Sequence, residues 1–103
     1  MSMVQFQPKG TTEVKNLAFD FISQLAVGET ISTKAVVATT YSGVDASPSN
    51  VINSAASSSG TIVTQSVKAG VAGVIYKLVC TITTSASQTL TITGYLPVIL
   101  DPL

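Results

Sequence analysis

The stretch from Gly70 to Ser85 constrains the fold of this chain more than any other part of its sequence. Two glycines open it, and the side chains that follow alternate between two faces. One face carries Tyr76, Leu78, Cys80 and Ile82, and the other carries Lys77, Val79, Thr81 and Thr83. A period of two over this length, rich in β-branched residues, predicts a β-strand with one face in a core.

The tyrosine at the head of this strand has a predicted role of its own. Tyr76 follows a turn that contains Gly70 and Gly73. This arrangement is typical of the tyrosine corner of immunoglobulin-like sandwiches, in which a tyrosine hydroxyl bonds to backbone a few residues upstream. We therefore expect Tyr76 to be a structural corner, with its ring on the core and its hydroxyl bonded to the preceding turn.

Five further segments predict strands, since each is apolar or β-branched and bounded by turn residues: 14–21, 29–41, 51–52, 61–67 and 89–93. In the second of these, Lys34 belongs outside, which indicates a core face made of Ile31, Thr33, Ala35, Val37 and Thr39. A helix over residues 17–25 stays open as an alternative, because Leu17, Phe21 and Leu25 are spaced by four.

The connections between these strands are short and polar. Residues 53–60 are almost all serine, alanine and glycine, which predicts a mobile loop. Residues 85–88 predict a hairpin between the central strand, residues 74–84, and the strand at 89–93, where Leu90 and Ile92 face inward. The whole pattern predicts an all-β protein: an immunoglobulin-like antiparallel β-sandwich of about seven strands with extended N- and C-terminal segments.

The domain organisation follows from the same pattern. We expect an N-terminal arm at residues 1–12, the sandwich at residues 13–95 and an apolar C-terminal tail at residues 96–103. Pro97 favours an edge segment or a departing tail for the last part, because proline cannot donate to a central ladder.

The charge balance of the chain argues against nucleic acid as a partner. Five lysines balance five carboxylates, the formal net charge is zero, and charged residues make up 10% of the chain. Phosphate binding needs clustered Lys or Arg, whereas these lysines are scattered. No apolar run reaches the roughly 18 residues of a membrane-spanning helix, and no signal peptide is evident. We therefore expect no membrane partner and synthesis in the cytoplasm.

The groups that carry most enzymatic chemistry are missing or dispersed. There is no histidine, and the carboxylates are widely separated: Glu13, Asp20, Glu29, Asp45 and Asp101. Cys80 is the single cysteine and lies on the inward face, where a thiol acts as a small hydrophobe. The sequence therefore predicts no catalytic, metal or cofactor site, no small-molecule substrate and no enzyme. Tyr41 and Tyr95 are the candidates for contacting a sugar, should this be a carbohydrate or host-surface binding module.

Two segments together resemble a known family. They are Phe19-Asp20-Phe21 followed by Gly28-Glu29-Thr30-Ile31, and residues 70–85 with their Ile82-Thr83-Thr84-Ser85 end. This order resembles small tailed-bacteriophage virion proteins of the fibre–tail adaptor or head–tail region, which have an immunoglobulin-like fold. The chain departs from that family in having Phe21 where tryptophan is common and in ending with an apolar segment instead of a charged strand.

The resemblance implies a non-enzymatic structural protein of the virion that joins tail or neck to another component in multiple copies. Its partners would be other virion proteins, copies of itself, or both. A capsid decoration or cement protein is the alternative within the same class. A carbohydrate or host-surface binding module is the alternative from a different class.

The two end segments are the predicted interface. Burial of an apolar side chain that would otherwise lie in water contributes roughly 1.5–3 kcal/mol of stabilising free energy. We therefore predict that one or both ends reach an adjacent subunit or another virion protein through Phe6, Leu96, Val98, Ile99, Leu100 and Leu103.

Overall fold

The computed structural model describes residues 2–100, which form two packed β-sheets and one short 3₁₀ helix. The strands are β1 Ser2–Gln5, β2 Lys9–Gly10, β3 Lys15–Asp20, β4 Ile31–Ser42, β5 Ser57–Ser59, β6 Ile62–Val67, β7 Ile75–Thr84 and β8 Thr89–Ile99. The predicted all-β sandwich with an immunoglobulin-like fold is confirmed.

The first sheet has the strand order β1-β8-β7-β4, and β2 also pairs with β8. β1 and β2 run parallel to β8, whereas β7 is antiparallel to both of its neighbours, β4 and β8. The second sheet has the order β3-β6-β5 and is antiparallel throughout. The predicted hairpin between β7 and β8 is present, with the Thr84 amide donating to the Gln88 carbonyl at 2.9 Å.

The central strand β7 has the predicted orientation. Its inward side chains are fully buried, and they are Tyr76, Leu78, Cys80 and Ile82. They pack against Phe19 and Phe21 from the second sheet's side of the core. A strand that is flanked on both sides and covered on one face needs this unbroken alternation, which is why the pattern was readable from sequence.

The predicted core face of β4 was wrong. Val37 is 59% exposed, whereas Ala38 is buried and Val36 is half-buried against the core. The register shifts between Ile31 and Thr33, where a bulge changes which side chains face inward. A bulge inserts one residue and so reverses the alternation beyond it. Lys34 pairs with buried Ile82 across the ladder, and on this edge strand its side chain stays exposed.

Three other local predictions are settled by the structure. β3 is a strand, so residues 17–25 do not form the alternative helix. Only a single turn follows the strand, in which the Phe21 carbonyl accepts from the Gln24 and Leu25 amides. The short strand expected at residues 51–52 is instead the end of the 3₁₀ helix Pro48–Val51, followed by an isolated bridge. The serine-rich loop contains β5, an exposed edge strand.

The end of the chain continues the first sheet instead of leaving it. β8 runs through Pro97 to Ile99, and Leu96 and Val98 are buried in the domain's own core. Pro97 fits because β1 ends opposite Tyr95 and β2 begins opposite Val98, so the ladder on that side is interrupted at the proline. The assignment of Leu96 and Val98 to an intermolecular interface is therefore corrected.

The first residues of the chain are docked in the same way. Phe6 lies half-buried over Gly94, and its ring meets the Phe19 ring edge-on with centroids 5.4 Å apart. A Cβ on Gly94 would lie 2.3 Å from the Phe6 ring. Glycine is thus required at position 94 by close approach, and Phe6 belongs to this domain's core. The division at residues 12 and 95 stays a prediction, although both end segments lie along β8.

Replacing Gly94 with alanine tests this docking. We expect Gly94→Ala to lower the free energy of unfolding by about 1–3 kcal/mol, because the new methyl group must displace the Phe6 ring. A double-mutant cycle provides the control, since Gly94→Ala should cost much less when Phe6 is already alanine. An equal cost in both backgrounds, measured by denaturant unfolding, would contradict the packing described.

The burial of Cys80 gives a second prediction. Desolvation raises the pKa of its thiol to about 12, so almost no thiolate forms at neutral pH. We expect a thiol reagent to label Cys80 only as fast as the protein unfolds. Labelling of the folded protein at the rate of a small free thiol would show that β7 is not seated as described.

Candidate interaction surface

The outer face of the first sheet is the face turned away from the core. Side chains from four strands share this face, as their register pairs them across the sheet: Met3, Gln5, Thr33, Ala35, Val37, Thr39, Lys77, Val79, Thr81, Thr91, Thr93 and Tyr95. Lys77 is the one charged residue in this set. The face is therefore apolar and hydroxylated, which suits contacts between proteins better than contacts with charged ligands.

An aromatic patch, made of Met3, Gln5, Tyr41 and Tyr95, lies at one end of this face. The Tyr41 and Tyr95 rings meet edge-to-face, with centroids 4.8 Å apart and an angle of 65° between their planes. The Tyr95 hydroxyl donates to the Met3 sulfur at 3.9 Å. Together with Val4 these residues line a shallow groove. Two tyrosines from the strands on either side of β7 are thus brought together. They lie 54 positions apart in the sequence, so the sequence alone does not indicate their contact.

This geometry bears on the sugar-binding alternative. Carbohydrate platforms present aromatic faces to the flat side of a sugar ring. Here each tyrosine turns toward the other, so the two rings do not form one flat platform. Tyr41 is still 62% exposed and available to a partner.

The structure separates the residues predicted as an interface. Leu96 and Val98 are core residues, and Phe6 is half-buried against Phe19. Ile99 is half-buried at the end of β8, and Leu100 is 71% exposed. Leu103 lies outside the described residues. Leu100 is therefore the member of the set that the structure leaves open to a neighbour.

The predicted corner at Tyr76 is present, and its hydroxyl makes one hydrogen bond more than was predicted. The Val71 amide donates to the Tyr76 hydroxyl at 2.8 Å, and that hydroxyl donates to an Asp45 carboxylate oxygen at 2.6 Å. Asp45 also accepts from the Ser47 amide at 2.9 Å. Burial, followed by the bond to Asp45, raises the pKa of Tyr76 to about 12, so it remains a donor. The Tyr76 bond, followed by the Ser47 amide, lowers the pKa of Asp45.

The other described carboxylates also fix turns. Glu13 accepts from the Gly10 amide, and Asp20 accepts from both Ile22 and Thr61. Glu29 accepts from the Ala26 amide and the Thr84 hydroxyl, and the Thr84 bond is the larger cause that lowers the pKa of Glu29. These carboxylates are thus built into local structure. Within residues 2–100 no group of His, Cys, Asp and Glu side chains could hold a metal ion.

Two buried polar residues were missed by the sequence reasoning. Lys9 is fully buried, and its ammonium group donates to the carbonyls of Gly10 and Ala69 at 2.7 and 2.6 Å. Gln65 is buried, and its amide donates to the carbonyls of Ser54 and Ser66. The strand alternation of β6 places Gln65 between Val63 and Val67, so its inward direction was readable. The sequence around Lys9 did not mark it as buried, because one of its two carbonyl partners belongs to Ala69, 60 positions away.

The fold and this face define an immunoglobulin-like β-sandwich module with an exposed, nearly uncharged sheet surface. Residues 9–97 match the family model described as podophage GP4 fiber-tail adaptor protein gp77. Because the match spans most of the chain, this protein belongs to that family of structural adaptor proteins of the bacteriophage tail, as the resemblance in its sequence indicated. It is accordingly a virion protein. No curated protein matches the chain. Across residues 2–100 the structure contains no helix long and apolar enough to cross a membrane.

The corner predicts a pH-dependent effect of Tyr76→Phe. The change removes the acceptor of the Val71 amide and the donor to Asp45, so we expect a loss of at least about 1 kcal/mol at neutral pH. A carboxyl with a lowered pKa stabilises the fold above its ordinary pKa and loses that contribution as the pH falls through its folded pKa. The difference between wild type and Tyr76→Phe should therefore shrink in acid.

Chemical denaturation at several pH values measures this difference. Tyr41→Phe is the matched control, because Tyr41 is exposed and lies outside the corner. A difference between wild type and Tyr76→Phe that stays constant from neutral pH down to about pH 2, well below the ordinary Asp pKa of about 3.9, would rule out the Asp45 bond as a contributor to it.

Proposed function

We propose that this protein is a non-enzymatic adaptor that joins the tail of a bacteriophage to its fibre, in multiple copies. The family match over residues 9–97 carries the proposal, since the family description names a fibre–tail adaptor. The partners are other virion proteins, with the tail fibre foremost, and further copies of the chain. The joining is done by binding alone, and it involves no nucleic acid, membrane or small-molecule substrate.

The aromatic patch is the part of the surface we assign to a partner. Tyrosine and methionine are enriched in protein interfaces, where large side chains anchor in a partner's pocket. Met3 is 66% exposed and Tyr41 62% exposed, so both have area to bury. The shallow groove beside them gives a partner's side chain a place to seat.

Leu100 is assigned to a second contact. It follows the buried end of β8 and exposes 71% of its surface. A leucine in that position stabilises an assembly when a neighbour covers it. Ile99 and Leu103, which belonged to the same sequence hypothesis, are proposed as its companions.

The lack of charge on the outer face sets the expected character of binding. Long-range electrostatic steering needs charged patches, and its effect on association falls with ionic strength. Binding through the aromatic patch should instead depend on apolar burial and shape. We therefore expect the affinity for the partner to change little between low and moderate salt.

A pair of single substitutions tests the assignment of the patch. We expect Tyr41→Ser to weaken binding to purified fibre or tail protein by about 2 kcal/mol, or roughly thirtyfold, as for an interface anchor. Val27→Ser is the matched control, because Val27 is an exposed apolar residue in a turn near the opposite end of β4. Truncation at Pro97 is unsuitable, because it would remove Val98 from the core.

Binding assays with the wild-type protein and these variants decide between the candidate functions. Binding to fibre and tail components that Tyr41→Ser weakens and Val27→Ser does not would support the adaptor. Binding to capsid shells alone would contradict it and favour a decoration protein. Glycan binding that requires Tyr41 or Tyr95, without binding to virion proteins, would contradict it in favour of a host-surface module.

A further inference from the structure

Within residues 2–100 the sheets expose five edge strands, and four of them are protected against pairing with another chain. β2 has two residues, β5 has three and β1 has four, so all three are short. β3 has six residues with Lys15 at one end and Asp20 at the other. Short edges and charged edge residues are the ordinary means by which proteins avoid edge-to-edge association.

The remaining edge, β4, is the least protected: Lys34 is the one charged residue in its regular run, and its register shifts lie only at the ends. It runs for 12 residues without proline, and β7 is its one strand partner within residues 2–100. Register shifts lie at each end, between Ile31 and Thr33 and between Thr40 and Ser42, and they bound a regular run from Thr33 to Thr40. Every second residue of that run directs its backbone N–H and C=O away from β7. The chemistry that satisfies such an edge is another extended strand.

The side chains of this run are complementary to themselves in one antiparallel register. When Val37 lies opposite its own copy, Lys34 faces Thr40, so no like charges meet. In the same register Val36 faces Ala38 and Ala35 faces Thr39, so the other side chains that meet are small or β-branched and uncharged. A register centred on Lys34 would oppose two ammonium groups. Centring on Val37 also buries the exposed valine of the run.

From this geometry we propose that two copies of the chain pair through their β4 edges, antiparallel and two-fold symmetric, with Val37 at the axis. The two first sheets then form one continuous sheet across the dimer. The outer faces lie on the same side of it, so the dimer presents two aromatic patches to a partner. A two-fold contact of this kind is closed and adds no further copies.

This inference rests on the part of the proposed function that calls for multiple copies. A failure of the pairing can be distinguished from a failure of the adaptor proposal. Self-association is measured on the purified chain without any fibre or tail protein. Binding to fibre or tail protein is measured with the Tyr41 and Val27 variants. A monomer that binds fibre would overturn the pairing alone, and a dimer that binds nothing would overturn the adaptor alone.

Cysteine cross-linking across the axis is the sharpest test. Because Cys80 is buried, an introduced cysteine is the reactive one. In the proposed register Val37→Cys places two Cα atoms about 4.5–5.5 Å apart, within reach of a disulfide. Ala35→Cys is the matched control, because its two copies lie four residues apart along the strands, roughly 13 Å. We expect mild oxidation to convert Val37→Cys into covalent dimers and to leave Ala35→Cys uncross-linked.

The mass of the protein in solution completes the test. Wild type should sediment as a dimer, and Val37→Lys should raise the dissociation constant at least tenfold, since it opposes two charges at the axis. Val27→Lys, away from the edge, should leave the dimer unchanged, and thermal unfolding verifies that each variant is folded. A wild-type monomer at every concentration, a dimer that survives Val37→Lys, or cross-linking of Ala35→Cys in preference to Val37→Cys would overturn the proposal.

Discussion

The hydroxyl of Tyr76 holds together the part of the structure on which the rest depends. It accepts from the Val71 amide and donates to Asp45, so it ties the turn before β7 to the loop after β4. The same turn is bonded to the end of β8, where Gly73 donates to the Val98 carbonyl and Val98 donates to the Val74 carbonyl. Fixing this one turn therefore positions three strands of the first sheet.

The features that depend on local alternation were predictable from sequence, and those that depend on distant neighbours were not. The buried face of β7 and the corner follow from a period of two and a glycine turn. The exposed face of β4 does not, because a bulge near Thr33 reverses its alternation. The departing tail predicted from Pro97 was wrong for a related reason, because the place of Pro97 in β8 depends on the gap between β1 and β2. The Tyr41–Tyr95 contact likewise exists only once the sheet has formed.

The correction at the chain ends changes where joining can occur. Leu96 and Val98 pack into the domain's own core, so they stabilise the domain and are not available to a neighbour. The surfaces we propose for assembly are the outer face with its aromatic patch, the β4 edge and Leu100. Since these surfaces are nearly uncharged, apolar burial and backbone pairing are the interactions that hold such an adaptor in place.

Electron cryomicroscopy of the intact tail tests the central claim most directly, because it shows both location and orientation. The account predicts several copies of this sandwich at the junction of tail and fibre. In those copies the outer face of the first sheet, around Tyr41 and Tyr95, should be buried against another virion protein. Density for the sandwich elsewhere on the particle, or at the junction with that face in solvent, would contradict it.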